Sequence, residues 1–211
     1  MTHSDSPGGD EDHQQYSLTL IQQPKRARAM GVGERDRRPI DPCPIVQLEI
    51  STPEGAENVE LLWQKTFVVH ATLFDATKSH ECSVSEDTPV MSDAEYQQTM
   101  IGSLVSSAHT IKIGGKYGCY FCFPDIRVRY AGTFTLQFSL ISIPSTESDH
   151  VDSAKVLTHV FSDPFTVYSM RDFPGVDEST ELSRLFNAQG VAIPIRNKGR
   201  LKLPDDDEQQ S

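Results

Sequence analysis

No stretch of this sequence approaches the ~18 consecutive apolar residues of a membrane-spanning helix, so an integral helical membrane protein is not expected. The opening residues MTHSDSPGGDEDHQQ lack the basic start and apolar stretch of a secretory leader. The expectation is an intracellular protein whose four cysteines are reduced. Hydrophobic residues make up only 37% of 211 positions. That composition fits one lean-cored domain with polar tails.

Catalytic signatures are also missing. There is no phosphate-loop lysine motif, no nucleophile elbow and no HExxH. Gly31 and Gly33 are followed by Asp36 where a dinucleotide loop needs a third glycine. His70, His80, His109 and His159 stand singly. Cys119 and Cys122 form a CxxC, but within the strand-like GCYFCFPD. Residues three apart on a strand point to opposite faces, so a shared metal is not expected. Cys43 and Cys82 are isolated. The reading is no enzyme, no cofactor, no metal and no small-molecule substrate.

What the chain does have is uneven charge. The formal net charge is −11. Residues 1–15 and 204–211 each carry −4 and read as disordered acidic tails around a domain at 16–203. Residues 51–170 hold 7 basic and 14 acidic side chains. The segments 16–50 and 171–203 are each positive, with 6 basic and 4 acidic groups. Screening over ~8 Å at physiological salt lets a local basic patch act independently of distant acids.

The dominant period between the tails is two. Val46, Leu48 and Ile50 alternate with polar residues in 44–50. Phe67, Val69, Ala71 and Leu73 share one face in 67–73. Ile126, Val128 and Tyr130 oppose Arg127 and Arg129, and Phe134, Leu136, Phe138 and Leu140 alternate through 133–141. Segments 16–22, 119–123, 155–161 and 165–168 also read as strands. Seven or eight such strands divided by turn residues predict an antiparallel β-sandwich. One or two short helices are expected. Ser92 to Glu95 fits a capping box. In 177–190, Leu182, Leu185 and Phe186 fall on one face and Gly190 suits the C-terminal cap.

The segment LTLIQQPKRARAMGVGERDRRPIDPCPIVQLEI (18–50) reads as strand, basic loop, strand. Pro24, Gly31, Gly33, Pro39, Pro42 and Pro44 shape the loop. Lys25, Arg26, Arg28, Arg35, Arg37 and Arg38 form a candidate phosphate-binding edge, because arginine forks match phosphate oxygens and guanine edges. Two readings stand for Arg37 and Arg38: phosphate contact, or pairing with Asp41 or Asp125 to hold the loop down. The same six residues fit the two halves of a basic nuclear import signal.

QQPKRARAMGVGERDRRPIDPCPIVQL resembles the signature of the fungal velvet-domain regulators. GSLVSSAHTIK at 102–112, CYFCFPDIRVRYAGTFTLQFSL at 119–140 and FTVYSMRDFPGVDESTELSRLFNAQGVAIPIR at 165–196 follow in the family's order. The resemblance covers roughly residues 16–203. It implies a mostly β, immunoglobulin-like fold similar to the Rel-type DNA-binding domain. It implies homodimers or heterodimers with other velvet proteins, binding to double-stranded DNA, a nuclear location with shuttling to the cytoplasm, and control of development, sporulation and secondary metabolism. A role as a dimerisation subunit that does not touch DNA is the alternative. The family's DNA contacts carry over to Lys25, Arg26 and Arg28, then to Arg35, Arg37 and Arg38. Arg127, Arg129 and Arg196 are further candidates, their outward direction read from alternation. Cys43 departs from the family's usual proline, and Thr135 and Gln137 stand where a basic residue is common.

Overall fold

Alternation of apolar and polar side chains builds this molecule, because each strand must bury one face and wet the other. The structure, a computed structural model, describes residues 14–30, 38–51, 66–82, 98–143 and 154–197. Among them are twelve strands and one helix. The strands are β1 (Gln15–Gln22), β2 (Arg26–Arg28), β3 (Ile45–Ser51), β4 (Thr66–Asp75), β5 (Met100–Ile101) and β6 (Val105–Ser107). They continue with β7 (His109–Ile113), β8 (Lys116–Cys122), β9 (Arg127–Val128), β10 (Gly132–Ile143), β11 (Lys155–Phe161) and β12 (Phe165–Tyr168). Helix α1 spans Glu181–Ala188.

One sheet runs β1-β3-β8-β7, and a second runs β2-β12-β10-β4-β6 with β11 also on β10. Their inner faces close over one core. Leu18, Val46, Leu48, Ile50, Cys119 and Phe121 come from the first sheet, and Phe67, Val69, Leu73, Leu136, Phe138 and Val167 from the second. The fold is the mostly β sandwich that the alternation predicts. All pairings are antiparallel except β2 with β12.

A second, smaller core lies on the outer face of the first sheet. Ile45, Ile111, Tyr120 and Cys122 meet Phe186, Val191 and Ile193 there. Cys119 and Cys122 thus point to opposite sides of β8, as their spacing requires. The Tyr120 and Phe186 rings pack edge to face at 5.3 Å. Phe186 is fully buried, worth about 1.5–3 kcal/mol of transfer free energy.

Helix α1 is shorter than the expected 177–190. Thr180 caps it, its Oγ1 accepting from the Ser183 N–H at 3.0 Å. At the other end Val191 N–H donates to Phe186 O and Gly190 N–H to Asn187 O, the paired bonds of a Schellman cap. Gly190 has φ +95°. Leu185 is not on the buried face: it is 37% exposed, and Ser183 is buried instead. The Ser183 hydroxyl is accommodated because Gln22 Nε2 and Thr180 Oγ1 both donate to it at 2.9 Å.

Strands β2, β5, β6 and β7 fall outside the segments read as strands. β2, β5 and β6 are two or three residues long, too short to show a period. β1 opens at Gln15, inside the segment expected to be tail. The capping box at 92–95, Arg35 and Arg37 lie outside the described residues, as do 1–13 and 198–211. Among the described residues no helix is long and apolar enough to cross a membrane.

Candidate nucleic-acid interface

The basic run begins as a strand, not a loop. β2 pairs in parallel with β12, in the register Thr166 with Arg26, Val167 with Ala27 and Tyr168 with Arg28. Ala27 is 1% exposed and enters the main core. Strand alternation then turns Arg26 and Arg28 to the opposite, outer face. Pairing on the other side is with the returning chain. Lys25 and Arg26 N–H both donate to Asp41 O, at 3.1 and 2.9 Å, and Asp41 N–H donates to Arg26 O at 2.8 Å.

The chain beyond β2 is stitched to its neighbours. Ala29 N–H donates to Tyr168 O at 2.8 Å and Met30 N–H to Val128 O at 3.0 Å. Ile40 N–H donates to Ile126 O at 2.8 Å on the return. These bonds bring Lys25, Arg26, Arg28, Arg38, Arg127 and Arg129 to one end of the sandwich. Lys25 and Arg38 are exposed, and the other four are half-buried. Ile126 and Val128 are fully buried, so the opposite direction read for Arg127 and Arg129 holds. Arg127 Nε donates to Asp125 O at 3.3 Å and Arg129 Nε to Gln98 O at 2.9 Å.

Carboxylates organise this end. Asp41 is 2% exposed, and its carboxylate accepts from Arg196 Nη2 and from the Asp177 N–H at 3.1 Å. Arg26 Nη2 in turn meets Asp177 Oδ2 at 2.8 Å. A chain of charges therefore links Arg196, Asp41, Asp177 and Arg26. Burying Asp41 without these donors would be costly, since a buried charge needs both a partner and hydrogen bonds. Arg196 is a brace in this arrangement. The sequence reading of Asp41 as a partner for Arg37 or Arg38 missed it. Asp125 accepts from Ser103 N–H at 3.0 Å and Ser103 Oγ at 3.3 Å. Arg38 lies over the Phe173 ring, 5.8 Å from its centroid. Phe173 and Tyr168 rings meet at 6.3 Å.

Two features here escaped the sequence reading. Arg171 is exposed in the turn that follows β12, the strand paired with β2. Phe173, two residues on, seats Arg38. The signal was present in MRDFPG, a cation and an aromatic before a Pro-Gly turn. Cys43, buried beside this end, has its thiol pushed up to about 12 by burial, so it is not an activated nucleophile. Among the described residues no cluster of three His, Cys, Asp or Glu side chains is placed to hold a metal.

This chain can be set beside known proteins. The family model described as Velvet factor matches residues 16–95 and 85–199. The chain is similar to the sexual development regulator umv3 of Mycosarcoma maydis, 35% identical over 206 residues that cover 94% of this chain and 49% of the relative. It is similar to the spore development regulator vosA of Beauveria bassiana, 35% identical over 193 residues, 89% of this chain and 68% of the relative. The developmental and secondary metabolism regulator MVE1 of Zymoseptoria tritici is 36% identical over 207 residues, 89% of this chain and 77% of the relative. The chain spans about half the length of the sexual development regulators it matches, 49% of umv3 and 44% of VELC of Pyricularia oryzae. With nearly its whole length matched by the family model, the chain belongs to the velvet family.

Proposed function

We propose that this velvet domain is a DNA-binding transcriptional regulator of fungal development, sporulation and secondary metabolism, working in the nucleus as a homodimer or a heterodimer with another velvet protein. Its relatives are regulators of sexual development, spore development and secondary metabolism, which supports the regulatory part of this reading. A regulatory rather than catalytic role accords with that kinship. The observation that carries the DNA reading is the short strand β2. It turns Arg26 and Arg28 outward and flanks them with exposed Lys25 and Arg38.

The mechanism follows from those side chains. Lysine and arginine grip backbone phosphates and fix register, while one or two arginine forks read guanine edges in the major groove. Lys25, Arg26 and Arg38 are phosphate grips in this scheme, and Arg28 is the candidate for a base edge. Arg196 supports the edge through the buried Asp41. Residues 25–38 also serve as the nuclear import signal.

The test is charge reversal at the two exposed positions, Lys25→Glu with Arg38→Glu. Duplex affinity is expected to fall at least about tenfold. The variant should stay folded in a thermal melt, since both side chains are exposed and neither belongs to the core. Unchanged affinity in a folded variant would sink the reading.

A second reading is favoured by one observation: two of the candidate arginines already hold carboxylates, Arg26 with Asp177 and Arg196 with Asp41. Under it the domain is a dimerisation subunit whose partner supplies the DNA contacts. It predicts tight heterodimer formation and no duplex binding by this chain alone.

A further inference from the structure

We infer that Asp177 competes with DNA phosphate for Arg26, and so sets both the affinity and the salt dependence of the basic edge. The inference rests on the DNA-binding reading above and deepens it.

The geometry is a one-point contact, Arg26 Nη2 to Asp177 Oδ2 at 2.8 Å. A guanidinium offers the same fork to a carboxylate as to a phosphate. The oxygen of Asp177 therefore occupies a direction that a phosphate oxygen would use. Exposure decides which side it occupies. The Asp177 side chain is 63% exposed and that of Arg26 only 26%. The carboxylate is the outer partner, between Arg26 and the solvent from which a duplex arrives. A residue that oriented Arg26 for DNA would lie behind it, as the buried Asp41 does.

Asp177 is also held in place. Its N–H donates to Asp41 Oδ2 at 3.1 Å, and Asp41 is buried under Arg196. Gly175, two residues before Asp177, takes a φ of +98°. Asp177 is thus anchored through its backbone while its carboxylate faces solvent. A phosphate reaching Arg26 must displace that carboxylate or sit beside a second anion. Either outcome weakens binding. The displaced ion pair also means that Arg26 contributes less to counterion release than a free cation would.

The experiment compares wild type with Asp177→Asn, which keeps volume and the backbone N–H and removes the charge. Asp177→Ala is the second variant. The readout is fluorescence-anisotropy binding to a random-sequence duplex across a salt series, with Tm measured in parallel. Asp177→Asn is expected to bind about twofold to fivefold more tightly near physiological salt. Its log–log salt slope should steepen by about one, for one more phosphate neutralised. Arg26→Ala should cost more affinity in the Asp177→Asn background than in wild type. Equal affinity and slope in wild type and both variants would overturn the competition. So would weaker binding by variants of unchanged Tm, which would make Asp177 a positioning residue. If neither wild type nor the variants bind at low salt, the DNA reading itself fails and the inference falls with it.

Discussion

Removing Arg196 tests the chain of charges beneath the basic edge. Its Nη2 meets the Asp41 carboxylate, and Asp41 is 2% exposed. In Arg196→Ala that carboxylate still accepts from the Asp177 N–H at 3.1 Å. Breaking a fully buried pair costs about 3–5 kcal/mol. The Arg196 side chain is 33% exposed, so water can reach the vacated position and the full figure does not apply. A loss of about 1–3 kcal/mol is expected. For a domain of this size, 2 kcal/mol lowers Tm by about 4–8 °C. Urea denaturation followed by circular dichroism should show a lower midpoint with an unchanged m-value. Arg196→Lys should recover part of the loss. Asp41→Ala combined with Arg196→Ala should cost less than the sum of the single changes, because neither charge is then stranded. Suppose instead that Arg196→Ala melts within 1 °C of wild type and loses about tenfold in duplex affinity. Then Arg196 is a DNA contact, and its assignment as a brace is wrong.

Two other perturbations address the frame around the site. Gly102→Ala would place a Cβ 2.3 Å from Asp125 O at φ +114°, and should destabilise the fold by about 2 kcal/mol or more in a thermal melt. Wild-type stability in that variant would show that the Asp125 turn is soft. Burial pushes the Cys43 and Cys119 thiols up to about 12, above the ordinary thiol range. Between pH 9 and 12 the unfolded chain then loses protons that the folded chain keeps. Stability is therefore fully present below about pH 9 and falls as pH rises towards 12. Chemical denaturation at pH 8, 9.5 and 11 checks this, and a flat profile would refute it. In the same samples Cys82, which is only half-buried, should be alkylated before the other three.

Some of this molecule was legible in its sequence. β4 and β10 each run ten residues or more with one face apolar, and a period of two over that length has one explanation. The opposite directions of Cys119 and Cys122 followed from strand geometry alone. The basic end was legible as composition but not as structure. Arg26–Arg28 is a strand only because β12, some 140 residues away in sequence, lies beside it. Asp41 reads as an ordinary loop acid, yet it is buried, because a partner 155 residues away neutralises it. Ser183 replaces Leu185 on the inner face of α1 because Gln22 satisfies its hydroxyl. In each case the deciding partner is remote in sequence, where neither period nor propensity reaches.

The most direct test of the DNA reading is the salt dependence of binding by the wild-type protein to duplex DNA. If Lys25 and Arg38 each meet a phosphate and Arg26 meets one against competition from Asp177, log affinity should fall linearly with log salt at a slope of about −2 to −3. The Lys25→Glu, Arg38→Glu variant should fold, bind weakly and show a shallower slope. A folded wild-type protein that shows no salt-dependent binding to duplex DNA would contradict the account.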